Sequence, residues 1–146
     1  MLFFPNAKIN LGLNILRKRS DGYHDIETVF SPVAFSDVLE FVPDDTEAPG
    51  TCHFTSSGIA VDGTPESNLI VKAYRLLDRD FRLPAIKVHL HKIIPPGAGL
   101  GGGSSDGAFM LKHLNLVFSL GITDVRLMEY ASVLGSDCAF FILNRR

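Results

Sequence analysis

Cysteine is almost missing from this chain. Only Cys52 and Cys138 occur in 146 residues, far apart in sequence. So few thiols cannot frame a small secreted fold, and they fit a reducing compartment, so the cytoplasm is the expected location. Excess positive charge is also missing. The formal net charge is −2, whereas a protein that grips a phosphate backbone wants a basic face, so no nucleic-acid partner is expected. Arg17-Lys18-Arg19 is a short basic run and reads as a solvated hairpin tip. No window holds 18 consecutive apolar residues, so neither a transmembrane helix nor a membrane partner is expected. The first residues, Met-Leu-Phe-Phe-Pro-Asn-Ala-Lys, lack a basic lead-in, a long apolar core and a small-residue cleavage site, so no signal peptide is expected. Neither an internal repeat nor a linker is visible.

What remains is enough for one domain. The length is ordinary for a single unit, and the apolar fraction is 46%. A chain of this size buries roughly two-thirds of the surface that its unfolded form exposes.

Periodicity gives the elements. Ala7, Ile9, Leu11, Leu13 and Ile15 are apolar at every second position, which predicts a strand. Lys8, Asn10, Gly12 and Asn14 then share its opposite face, and a lysine and an asparagine two apart can point at one ligand. Ser20-Asp21-Gly22 is a turn signal, followed by a returning strand over 24–30. Short strands are predicted at 38–42 and 51–54, with an exposed acidic loop at 43–50 between them. Thr64 to Asn68 is a helix-start cluster with Ser67 as the expected cap, and Leu69, Ala73, Leu76 and Leu77 follow at helical spacing. Alternation at Ile86, Val88 and Leu90 predicts a strand over 85–94. Helices are expected over 105–118 and from Thr123 and Asp124 to about Leu134. Ser136 to Leu143 reads as a turn entering a buried strand. Because a fold rarely ends just inside a core strand, the chain is expected to be a piece of a longer protein. Early strands with helices between later ones give a mixed α and β class.

The strongest chemical signal is Pro95-Pro96-Gly97-Ala98-Gly99-Leu100-Gly101-Gly102-Gly103-Ser104-Ser105-Asp106, set between a predicted strand and a predicted helix. Five glycines within seven residues let the backbone approach a ligand closely. Successive amide N–H groups can converge on an anion, with the helix N-terminus behind them and two serine hydroxyls beside them. The segment therefore reads as a phosphate-binding loop. It is not a P-loop, since Gly103 is followed by serine and not by Lys-Ser/Thr. Gly97-x-Gly99-x-x-Gly102 matches a dinucleotide fingerprint by letter. A proline pair and a following helix, in place of a second strand ending in an acidic residue, argue against that reading.

The loop resembles the ATP-phosphate loop of the GHMP kinases. Three further segments are similar to the branch of that family that acts on a cytidylyl alcohol: Pro5-Asn6-Ala7-Lys8-Ile9-Asn10-Leu11, Arg19-Ser20-Asp21-Gly22-Tyr23-His24 and Leu134-Gly135-Ser136-Asp137. Their order and spacing agree along the whole chain. The resemblance implies an α+β fold, the GHMP kinase N-terminal domain, similar to the second domain of ribosomal protein S5. It implies that residues 1–146 are that domain and that a C-terminal GHMP domain is absent from the chain. It also implies transfer of the ATP γ-phosphoryl to the 2-hydroxyl of 4-diphosphocytidyl-2-C-methyl-D-erythritol, a step of isoprenoid synthesis.

By the same resemblance Asp137 is the catalytic base and Lys8 its partner. ATP is held by Pro96, Gly97, Ala98, Gly99, Leu100, Gly101, Gly102, Gly103, Ser104 and Ser105, with Asn68, Leu69 and Lys92 near the adenine and ribose. The cytidylyl substrate is held by Asn10, Tyr23, His24 and Phe30. The chemistry suits those types: a carboxylate can accept a hydroxyl proton, and a nearby ammonium favours its ionised form. An aromatic face offers stacking, and histidine offers a donor and an acceptor. Mg²⁺ is expected only as the ATP complex, within reach of Ser104 or Ser105, and a homodimer is possible. His89 and His91 share a strand face, but no third ligand lies near them in sequence, so surface histidines are expected. The chain departs from the family in having Cys138-Ala139 where Val-Pro or Ala-Pro commonly follows the aspartate. Two rivals stay open: another GHMP enzyme of the homoserine or mevalonate type, and a nucleotide-binding module without catalysis. The Asp21-Gly22-Tyr23-His24 segment speaks against the first, and Lys8 with Asp137 against the second.

Overall fold

A computed structural model describes residues 1–18, 20, 22 and 24–145. Strand β1 spans Leu2–Phe3, β2 Asn6–Lys18, β3 His24–Ser36, β4 Val38–Pro43, β5 Cys52–Gly58 and β6 Ile86–Lys92. Helix α1 spans Leu69–Phe81, α2 Gly102–Val117, α3 Asp124–Leu134 and α4 Cys138–Leu143. Four strands form one sheet in the order β1-β4-β6-β5, and β2 pairs with β3 in a separate long hairpin. β5 and β6 run parallel with α1 between them, while β4 runs antiparallel to β6.

The alternation in β6 is what makes it a one-sided strand. Ile86, Val88 and Leu90 are buried, while Lys87, His89 and His91 face out. Each buried aliphatic side chain of this size contributes about 1.5–3 kcal/mol. Ile70, Ala73, Tyr74 and Leu77 of α1 and Ala108, Met110, Leu111 and Leu114 of α2 complete the same core. On the outer face His89 bonds Thr55 and Ser57, and His91 bonds the same Ser57. Among the described residues no group of three His, Cys, Asp or Glu side chains could hold a metal ion. Nor is any helix among them long and apolar enough to cross a membrane.

Several local expectations change. Asn68, not Ser67, caps α1, its side chain accepting from the Ile70 N–H at 2.9 Å. Ser67 lies instead in a single 3₁₀ turn, Pro65–Ser67, and donates to the Thr64 carbonyl. The acidic loop is not wholly exposed, because Asp44 is buried, accepts from Thr46 and pairs with Lys87 at 2.9 Å. Cys-Ala-Phe-Phe-Ile-Leu, read as a strand, is the helix α4. A short apolar run fits either state, and here packing against α2 and α3 decides it.

The face assignment along β2 also fails beyond Asn10. The register skips at Gly12: Leu11 faces Val29 and Leu13 faces Thr28, so Gly12 is an extra residue. Its φ is +72°, the left-handed conformation of a glycine bulge. The bulge reverses the alternation, so Asn14 no longer shares the face of Lys8 and Asn10. The alternating apolar residues are mostly not core either. Ala7 is buried, but Ile9, Leu11, Leu13 and Ile15 are exposed.

Candidate active site

Lys8 sits where β2 passes the glycine loop. Its backbone N–H donates to the Leu100 carbonyl at 2.9 Å, which fixes strand and loop together. The residue is 5% exposed. Its Nζ donates to Asn10 Oδ1 at 2.7 Å and lies 3.4 Å from Asp137 Oδ2. Phe30, paired opposite Asn10 on β3, places its ring 4.8 Å below the same ammonium and packs on Phe140. The structure thus brings together Lys8, Asn10, Phe30 and Asp137, four residues named from sequence.

Asp137 opens α4 at the surface end of that group. The Cys138 N–H that follows donates to the Gly135 carbonyl at 3.2 Å. Cys138 itself is buried in the core, where burial pushes its thiol up.

The loop leads into α2, whose first backbone bond joins the Ser105 N–H to the Gly101 carbonyl at 2.9 Å. The N–H groups of Gly102, Gly103 and Ser104 precede that bond and are left for an outside acceptor, with the helix dipole behind them. The glycines serve different ends. A Cβ on Gly102 would meet Ile94 at 2.8 Å, so this glycine lets α2 close on the end of β6. A Cβ on Gly103 would meet nothing within 4 Å, so its bare backbone faces open space. Gly101 is different again: with φ +70°, its Cβ would meet the Phe141 ring at 3.0 Å and Lys8 Cε at 3.2 Å. Ser104 is half-buried, whereas the Ser105 hydroxyl is fully buried with no partner.

Beside the loop lies a cavity of about 180 Å³, walled by Asn68, Leu69, Lys92, Pro96, Gly103 and Asp106 with Val61, Asp62, Ser67 and Leu90. All three residues expected beside a nucleoside, Asn68, Leu69 and Lys92, line it. Lys92 is not a surface lysine. It is 3% exposed, and its Nζ donates to Asp37 at 2.6 Å and Asp106 at 2.7 Å. Asp37 in turn accepts from the Ile93 and Ile94 N–H groups. One ammonium therefore serves two buried carboxylates. Burial pushes the Asp106 carboxyl up to about 7 against the pull of Lys92, with Asp37 adding to the rise. Asp37 has no place in the sequence reading, and Asp106 stands there only as the last residue of the glycine segment, without a role. A lone charged residue between two apolar strands was the available signal for Asp37.

His24 begins β3 opposite Lys18. Six residues of strand, about 20 Å at the usual rise, separate it from Phe30. Tyr23 lies outside the described residues.

The family model described as GHMP kinases N terminal domain matches residues 68–145. The 4-diphosphocytidyl-2-C-methyl-D-erythritol kinase of Bacteroides fragilis strain YCH46 is 56% identical over 146 residues, covering 99% of this chain and 53% of that protein. The kinase of the same name from Bacteroides thetaiotaomicron is 57% identical over 144 residues, covering 99% and 52%. A crystal structure of 4-(cytidine 5'-diphospho)-2C-methyl-D-erythritol kinase superposes with a TM-score of 0.81 at 35% identity, over 99% of this chain and 50% of that one. A homoserine kinase from Cytophaga hutchinsonii, at 17% identity and a TM-score of 0.65, shares the fold. The chain spans about half the length of the curated relatives it matches. With a glycine loop entering α2, a cavity beside it and a family match over more than half its length, the chain belongs to the GHMP kinases and carries their N-terminal domain.

Proposed function

We propose that this chain supplies the ATP site and the catalytic pair of a kinase that phosphorylates the 2-hydroxyl of 4-diphosphocytidyl-2-C-methyl-D-erythritol. The observation that carries the reading is the Lys8–Asp137 contact, 3.4 Å long, beside the glycine loop. ATP enters with its nucleoside in the cavity lined by Asn68, Leu69 and Lys92 and its phosphates over Gly97 to Ser105. Mg²⁺ bound to those phosphates would offset their charge, and the half-buried hydroxyl of Ser104, at the end of the loop, would help to hold it. Asp137 accepts the proton of the substrate hydroxyl. The oxygen so freed forms a bond to the γ-phosphorus, the bond from that phosphorus to the β,γ-bridging oxygen breaks, and ADP leaves. Lys8 stabilises the negative charge on the oxygens in flight. Asn10 and Phe30 face the acceptor, and His24 with Tyr23 holds the cytosine further along the hairpin.

Release of ADP by the intact protein tests this reading. The cytidylyl alcohol should support turnover, whereas homoserine and mevalonate should not. Equal turnover on homoserine or mevalonate would overturn the substrate assignment and leave the family.

A further inference from the structure

Thr28 sits on β3 opposite Leu13, two residues before Phe30, and therefore on the same strand face as Phe30. Its Oγ1 lies 2.5 Å from the Gly12 carbonyl oxygen and 3.1 Å from Asn10 Nδ2. Two oxygens approach this closely only with a proton between them. A carbonyl has none to give, so the threonine proton is committed to Gly12. Toward Asn10 the hydroxyl can then only accept. The Asn10 amide must present its NH₂ there, and its Oδ1 is left for Lys8 Nζ at 2.7 Å. The ammonium demands the same orientation, because it has only donors.

The Gly12 carbonyl is available because of the bulge. A residue at φ +72° turns its peptide out of the ladder, and glycine does so without strain. The order of donation thus runs from Lys8 to Asn10, from Asn10 to Thr28, and from Thr28 to Gly12. Every side chain in it has one permitted orientation.

We propose that Thr28 is a positioning residue for phosphoryl transfer. Acting through Asn10, it fixes the Lys8 ammonium over Phe30 and beside Asp137. The inference rests on the assignment of Lys8 and Asp137 as the catalytic pair. Thr28 is only half-buried, so water can replace its hydrogen bonds. What its hydroxyl supplies is direction: without it Asn10 can turn either end toward Lys8, and the lysine loses its fixed acceptor.

The test compares Thr28→Val, Thr28→Ser and Asn10→Ala in the intact protein by steady-state kinetics, thermal unfolding and the side-chain amide resonances of Asn10. Valine keeps the shape and the strand preference without the hydroxyl. We expect Thr28→Val to lower kcat roughly 10- to 100-fold, the scale of a misplaced group, with KM for ATP unchanged. The Asn10 amide resonances should move, Thr28→Ser should restore both, and Thr28→Val should cost little more in an Asn10→Ala background. Wild-type kcat with unmoved Asn10 resonances would overturn the proposal. So would equal damage from valine and serine, which would mark a role in packing. If valine prevents folding, Thr28→Ala carries the same comparison. The Asn10 resonances report the relay whatever Lys8 and Asp137 do, so moved resonances with unchanged kcat would refute the positioning role, while normal turnover by Asp137→Asn would instead sink the catalytic pair.

Discussion

Asn6 and Asn144 exchange two side-chain amide hydrogen bonds, each donating to the other's Oδ1, across 138 residues of sequence. Asn6 begins β2 two residues before Lys8. Asn144 closes α4 seven residues after Asp137. The pair joins the start of β2 to the end of α4, the two elements that carry the proposed catalytic side chains.

Asn144→Ala should therefore weaken both fold and catalysis. Hydrogen bonds between neutral groups contribute about 1 kcal/mol each in net terms, so a loss of roughly 1–2 kcal/mol is expected. Urea unfolding of the single and double alanine variants measures it. Because the bonds are shared, the double variant should lose about as much as either single one. Fully additive losses would show that the two residues act separately.

The buried triad predicts a pH dependence. The Asp106 carboxyl stands at about 7 in the folded chain against an ordinary value of 3.8. The folded state therefore holds a proton that the unfolded state has released. Stability should fall as pH rises from about 4 to about 7 and then level off. Asp106→Asn removes the surplus carboxylate and keeps an acceptor for Lys92, so its stability curve should lack that fall. Denaturation midpoints at pH 4, 6 and 8 would check this, and an unchanged slope in the variant would contradict it.

Two glycines of the loop should fail in different ways. The sequence invites the thought that a side chain at Gly101 would fill space meant for phosphate. The structure points the Cβ instead at Phe141 and the stem of Lys8. Gly101→Ala should thus lower kcat more than it weakens ATP. Gly103 has an ordinary helical φ and open space at its Cβ, so Gly103→Ala should leave the fold intact or firmer by about 0.5–1 kcal/mol and weaken ATP binding. Calorimetric ATP titrations beside kcat values separate the two outcomes.

The parts of this fold that local pattern governs were legible. Alternation marks β6, helical spacing marks α1, and the glycine run marks the loop, because each is written within a few residues. Lys8, Asn10, Phe30 and Asp137 were found through their motifs, not through any visible contact. What escaped depends on register or on distant partners. The Gly12 bulge shifts Asn14 to the other face, and no alternation count can register one extra residue. Thr28 becomes interesting only once that bulge turns a carbonyl toward it. Asn6, Asn144 and Asp37 look like ordinary strand-end residues until the chain brings their partners across. α4 was misread because six apolar residues fit a strand as well as a helix, and packing chose.

In the proposed reaction Asp137 takes the proton of the acceptor hydroxyl while Lys8 stands beside it. Asp137→Asn in the intact protein, assayed for turnover and for ATP affinity together, tests it most directly. Turnover should fall on the order of 10²-fold or more, the scale of a general base, with ATP affinity largely kept. Turnover near that of the unaltered protein, with ATP bound as before, would contradict it.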